Sequence, residues 1–166
     1  MIDLRRTIAA SRHSAWNRFV LNMVLSWRVP FNHPHGFKVV AIAGGMRVRI
    51  PYWHANRNHL GGLHACALAT GAELCSGVAL LEHLDPRAQR LIMASLRMDY
   101  HKQARRPVHA ECLTDGAALA RSTAELERDG VARYESRIEL HDGTGMHVAT
   151  GTVTWQLKKW THVRSA

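Results

Sequence analysis

Glu73 is the only acid in NRNHLGGLHACALATGAELC (residues 56–75), where a polar, glycine-containing loop runs straight into a segment of very small residues. A carboxylate among such neighbours is uncommon, and one held there suits a general base or a nucleophile. The competing reading is an acid on an exposed helix edge, or one paired with an arginine. Glu73 follows His64 by nine positions, which is about 13 Å along a helix rising ~1.5 Å per residue. At that distance it cannot act at the N-terminus of its own helix. It can act at the N-terminus of a second copy if two such helices lie antiparallel across a twofold axis. That terminus offers unpaired N–H groups and the positive end of the helix dipole, which suit an oxyanion. The spacing therefore points to a base and an oxyanion donor on opposite subunits.

Asn58, Gly61, His64 and Glu73 stand in the form N-x-x-G-x-x-H-A-(x)7-E. This resembles the active-site signature of hotdog-fold acyl-CoA thioesterases of the phenylacetyl-CoA (PaaI-like) type, and NHLGGLHACAL is also similar to a related hotdog branch. The resemblance runs from about Phe37 to Leu157. It implies an α+β hotdog fold, an antiparallel sheet wrapped around a central small-residue helix. It implies hydrolysis of an acyl-CoA or acyl-carrier-protein thioester, with Glu73 as general base or nucleophile and the backbone N–H of Ala65 polarising the thioester oxygen. His64 and Asn58 would orient the thioester or the water. Gly61, Gly62, Leu63 and Ser76 would contact substrate, and so would Arg105 and Arg106. No cofactor is implied beyond the coenzyme A part of the substrate, and the expected assembly is a homodimer or a dimer of dimers. Two departures stand out: Ala65-Cys66 replaces the Gly-Gly of the pattern, and only Ser76 offers itself as the helical hydroxyl that positions water in some relatives.

Two other functions compete. A hotdog dehydratase or hydratase would pair His59 with Glu73, although the Pro-rich flanks expected around that histidine are absent. A non-catalytic acyl-CoA-binding module would leave Glu73 structural.

Other residues carry bland alternatives. His64 could cap the helix start, and Asn58 could order the loop. Cys66 and Cys75 read as core residues. His33-x-His35 invites a metal, but with no third ligand in view a surface turn is the better reading, and no metal is expected. Arg47, Arg49 and Lys102, with Arg105 and Arg106, could meet the phosphates of coenzyme A or simply be solvated. The N-terminal segment with Trp16, Arg18, Phe19 and Trp27 could touch lipid, although covering the open sheet face is the preferred reading.

The elements that position these residues follow from patterning. Residues 3 to about 27 read as one helix, broken by Pro30 and the stretch after it. FKVVAIAGGMRVRIPYW (37–53) reads as a hairpin turning at Gly44-Gly45. A helix from about Leu63 to His83 follows the loop at 53–62, with Leu80, Leu81 and Leu84 placed to line the far end of a pocket. Residues 90–102 and 107–114 read as strands around a turn at 104–107. Asp115 caps a helix through Arg128, ended by Gly130. A last hairpin runs 131–140 and 146–159. The order αββαββαββ implies a largely antiparallel sheet of consecutive hairpins with helices on a face. Gly71 and Gly77 each cost a helix roughly 1 kcal/mol relative to alanine, so close approach of other backbone is expected to compensate.

At 166 residues the chain suits a single domain, an N-terminal helical segment (1–30) and a core (37–158). A hydrophobic content of 46% argues against disorder. No apolar run approaches the ~20 residues needed to cross a bilayer, and no signal-peptide layout opens the chain. Stable membrane insertion is therefore not expected. Three unclustered cysteines suit a reducing, cytoplasmic setting. The net charge of +9 favours anionic partners, but no nucleic-acid-binding module accompanies it.

Overall fold

The computed structural model describes residues 4–42 and 45–162. The N-terminal segment forms two helices rather than the single one expected: α1 (Leu4–Ser11) and α2 (Ala15–Arg28). Ser14 causes the break, because its extended backbone and its side chain, which accepts the Asn17 N–H, start a new helix. After a 3₁₀ turn (Pro30–His35), β1 (Lys38–Ala41) and β2 (Met46–Ile50) pair antiparallel. Of the expected Gly44-Gly45 turn, Gly44 lies outside the described residues. Gly45 has a φ of 133° that favours glycine. There follow α3 (Ala65–Leu81), β3 (Gln89–Tyr100), β4 (Val108–Cys112), α4 (Gly116–Asp129), β5 (Val131–Asp142) and β6 (His147–Lys159). Asp115 caps α4 by accepting the N–H groups of Ala117 and Ala118, and Gly130 ends it in the left-handed region.

The six strands form one antiparallel sheet in the order β1-β2-β4-β5-β6-β3. The expected β3–β4 hairpin does not exist. β3 runs along β6 at one edge of the sheet, while β4 lies between β2 and β5. The segment joining them is anchored at both ends instead of turning tightly: His101 donates its N–H to Val148 O, and Ala104 O accepts the N–H of Leu63. Among the described residues β3 pairs with no strand on its outer side, which leaves a twelve-residue edge.

The sheet curves around α3, and the small side chains of α3 set the distance. A β-carbon at Gly71 would meet Ile50 of β2 at 2.3 Å, and one at Gly77 would meet the Trp155 ring of β6 at 3.2 Å. A β-carbon at Gly151 of β6 would meet that of Ala72 at 3.2 Å. The close approach expected of backbone is thus made at both helix glycines by side chains. Cys75, fully buried, donates its thiol to the carbonyls of Met46 and Ala110, tying α3 to β2 and β4. Cys66, expected in the core, is exposed.

Strand alternation puts Met46, Val48 and Ile50 on α3 and turns Arg47 and Arg49 to the opposite face, where Arg47 pairs with Glu111 at 2.9 Å. At the β1 edge, Asn22 of α2 accepts the N–H of Val39 and donates to its carbonyl, satisfying both outward backbone groups. Leu21 and Leu25 anchor α2 in the core. Trp16, Phe19, Met23 and Trp27 remain exposed, so the aromatic residues of this segment do not cover the sheet as expected.

The fit at Gly71 sets a test. Gly71→Ala should lower stability by about 1–2 kcal/mol, overpacking of roughly 1–3 kcal/mol being partly offset by helix propensity. Adding Ile50→Val, which removes the atom nearest the new methyl, should leave the pair less destabilised than the sum of the single changes. Urea unfolding of the double-mutant cycle measures both.

Candidate active site

The loop before α3 is built on Asn56, which is wholly buried. Its amide donates to the carbonyls of His35 (2.9 Å) and Pro51 (2.8 Å), and its side-chain oxygen lies 2.9 Å from Nδ1 of His35. Its own carbonyl accepts the N–H of His64. Two residues on, Asn58 Oδ1 accepts the N–H groups of Leu60 and Gly62, both at 3.0 Å, so this side chain orders the loop. Gly61 turns the chain at φ 74°, and Tyr52 donates its hydroxyl to the Gly61 carbonyl. A β-carbon at Gly62 would strike the Gln103 side chain at 2.6 Å, which is how closely the two segments pass.

His64 caps α3. Its Nδ1 accepts the Cys66 N–H at 3.0 Å, which puts the proton of a neutral ring on Nε2 and leaves it as an outward donor. Among the described residues the Ala65 N–H has no backbone acceptor. Tyr100, the last residue of β3, donates its hydroxyl to the Ala65 carbonyl at 3.0 Å. A hollow of about 330 Å³ opens at this terminus. Asn58, Leu63, Ala65, Leu68, Tyr100 and Lys102 line it, together with His101, Gln103 and Ala104. It thus gathers the motif positions Asn58, Leu63 and Ala65 with one cation, and it offers an orphan N–H at the positive end of a seventeen-residue helix.

Glu73 and Ser76 do not line this hollow. Glu73 lies further along α3, half-buried, on the uncovered strip that carries Cys66 and Thr70. Burial pushes its carboxyl above the ordinary glutamate value, and among the described residues no ion pair engages it. Ser76 is fully buried; its hydroxyl donates to the Glu73 carbonyl and accepts the Trp155 indole N–H. Arg105 reaches from beside the hollow to the Leu60 carbonyl at 3.4 Å. Arg106 is exposed and acts on Asp142, whose carboxyl is lowered chiefly by hydrogen bonds from Thr144. His59 is exposed in the loop and outside the hollow, and Arg47 and Arg49 are on the far face of the sheet. His33 and His35 are engaged by Ser26 and Asn56, and no group of three or more metal-ligating side chains is gathered among the described residues. At the far end of α3, Leu80 and Leu84 are buried in the core. It is Ala79, Glu82 and His83 that face a groove of about 890 Å³ shared with α4.

Sequence reasoning missed Asn56 and Tyr100. Asn56 opens the stretch that drew attention but looks like any loop asparagine. Tyr100 gives no sign that its hydroxyl reaches a helix start 35 positions earlier.

A curved antiparallel sheet around a small-residue helix, with a hollow at that helix's N-terminus, defines the hotdog class. Solved structures share the fold. PA5026 from Pseudomonas aeruginosa, a protein of unknown function described as a probable thioesterase, is 26% identical at a TM-score of 0.75, over 85% of this chain and 95% of that one. OLEI01261 from Chlorobaculum tepidum, of unknown function, is 17% identical at 0.75, over 86% and 94%. The thioesterase HI1161 from Haemophilus influenzae is 13% identical at 0.66, over 87% and 92%. No curated protein matches the chain. The chain belongs to the family described as domain of unknown function DUF4442, which matches residues 18–157.

Two expectations follow from Asn56 and Glu73. Asn56→Ala takes the side-chain donor from the buried Pro51 carbonyl and the part-buried His35 carbonyl and should cost roughly 2–4 kcal/mol, read by urea unfolding. Because the folded pKa of Glu73 is raised, stability falls as pH rises from the ordinary glutamate value through the folded one and stays lower above it. Glu73→Gln should therefore be more stable than the parent near pH 7. That advantage should vanish below the ordinary glutamate value, as thermal melts at the two pH values will show.

Proposed function

We propose that this protein is a thioesterase that hydrolyses acyl-CoA or acyl-carrier thioesters at sites shared between two copies of the chain. The observation that carries the reading is the division of the machinery along α3. One end offers an orphan amide in a hollow, and the only unpaired half-buried acid in the motif lies too far along the helix to reach it. The outer edge of β3 supports the two-chain arrangement, because over Gln89–Tyr100 it pairs with no strand among the described residues and so can present backbone groups to a second β3.

In this reading the Glu73 carboxylate takes a proton from water as its oxygen attacks the thioester carbonyl carbon. The negative charge that develops on the carbonyl oxygen is met by the Ala65 N–H of the opposite subunit at the start of α3. The Nε2–H of His64 and the Asn58 amide hold the thioester in place. When the tetrahedral intermediate collapses, the C–S bond breaks, the acid forms and the thiolate leaves, to be protonated from the acid that Glu73 has become. Lys102, in the hollow, and Arg105, beside it, face the anionic carrier group. Coenzyme A enters only as part of the substrate.

Mixing inactive variants tests both the chemistry and the sharing. Glu73→Gln should lose at least about a hundredfold in thiol release. Ala65→Pro removes only the orphan N–H, since proline is accepted at a first helical position and His64 is already extended; it should also be crippled. Dissociated and reassociated together, the two should recover about a quarter of parental activity, because half the dimers are hybrids with one intact site. No recovery in a mixture shown to exchange chains would refute sharing. Full activity of Glu73→Gln would refute the role given to Glu73, and a parent that releases no thiol from any acyl thioester would refute the thioesterase assignment altogether.

A further inference from the structure

No aspartate or glutamate occurs between residue 4 and residue 72, a span with eight arginines and one lysine. The cationic excess of the whole chain is therefore concentrated in this part. Five of those arginines are on or between α1 and α2: Arg5, Arg6, Arg12, Arg18 and Arg28. Arg12 is paired with Glu82 of α3.

The same helices expose a stripe of large apolar side chains. Trp16 (70%), Phe19 (55%), Met23 (49%) and Trp27 (83%) recur at three- and four-residue spacing along α2 and so share one side of it. Trp16 and Phe19 stack with ring centroids 5.5 Å apart. Met23, Val24, Trp27 and Arg28 frame an open hollow of about 300 Å³. These residues are not needed to hold α2, which Leu21, Leu25 and the Asn22 contact with β1 already fix.

We infer that the exposed face of α2 docks on an anionic bilayer surface, with the tryptophans and Phe19 at the level of the headgroups and arginines against lipid phosphates. Charge complementarity selects this occupant: α2 carries Arg18 and Arg28 and no acid, and Arg28 stands beside Trp27 at the end of the stripe, so this face repels a second copy of itself and attracts an anionic surface. The shape agrees: a nearly continuous apolar stripe of tryptophan, phenylalanine and methionine beside arginine is what an interfacial helix presents. No described helix is long and apolar enough to cross a membrane. A small cavity of about 160 Å³, lined by Phe19, Met23 and Leu74 among others, joins this face to the residue next to Glu73. The docking itself does not depend on the activity proposed above.

Flotation of the full chain with lipid vesicles tests the inference without reference to catalysis. The protein should float with phosphatidylcholine vesicles containing about a third phosphatidylglycerol, stay behind with pure phosphatidylcholine, and be released by high salt. Trp16→Ser/Phe19→Ser/Trp27→Ser should lower partitioning about tenfold or more, with an unchanged circular dichroism spectrum because all three side chains are exposed. Arg28→Glu, which leaves the aromatic stripe intact, should also lower it about tenfold. Failure to float with the anionic vesicles overturns the proposal, as does flotation that the triple substitution leaves unchanged. A triple variant whose mass falls in sedimentation equilibrium, from a parent that ignores vesicles, would assign the stripe to a second copy instead. Saturable capture of an acidic carrier protein by a parent that ignores vesicles would likewise overturn it.

Discussion

The contact between Gly71 of α3 and the Ile50 side chain governs how closely the sheet can approach its central helix. Ile50 is fully buried and β-branched, with few rotamers to move into, so the helix must yield the space. Gly77 makes the same concession to Trp155, and Gly151 makes it from the sheet side to Ala72. Once the sheet is that close, strands with small inward residues can curl around the helix. Cys75 can then reach carbonyls on two strands at once. The propensity lost at two helical glycines is exchanged for contact along three strands.

This tight wrapping also decides the electrostatics of α3. The helix buries most of its surface and leaves a strip from Cys66 to Glu73 uncovered, so the one acid of the motif is half-removed from water with no ion-pair partner among the described residues. Several acids elsewhere are treated differently. Glu82, Glu111, Glu127 and Glu139 each hold a basic side chain. Asp115 and Asp142 accept backbone N–H groups. Glu73 differs from these in a chain with a surplus of arginine: it is half-buried, and its raised pKa comes from burial.

Local signals were legible in the sequence wherever neighbouring residues decide the outcome. Asp115 and Gly130 bracket α4, and the turn after Asp142 sets the register of β5 on β6. The resemblance around Asn58, His64 and Glu73 pointed to the hotdog arrangement that the sheet adopts. The site was legible only in part, because Asn58 and Ala65 meet in one hollow while Glu73 stands apart from it. The pairing of β3 with β6 could not be read locally, because the two segments are about fifty positions apart and nothing in either names the other. Asn56 was missed for a related reason: its burial is decided by the carbonyls of Pro51 and His35, which only the folded loop brings together. Cys66 could have been placed correctly. It precedes Cys75 by nine positions, which is about half a turn out of phase on a helix with 3.6 residues per turn, so both cannot face the same sheet.

The five tryptophans are unevenly distributed between surface and core. Trp16, Trp27, Trp53 and Trp160 are between 45% and 83% exposed, while Trp155 is 6% exposed, hydrogen-bonded to Ser76 and set against Gly77. Steady-state emission from the native protein is therefore dominated by indoles already in water and will barely report loss of the core. The near-ultraviolet dichroism of a single immobilised ring is the optical signal tied to the closure of the sheet on its helix.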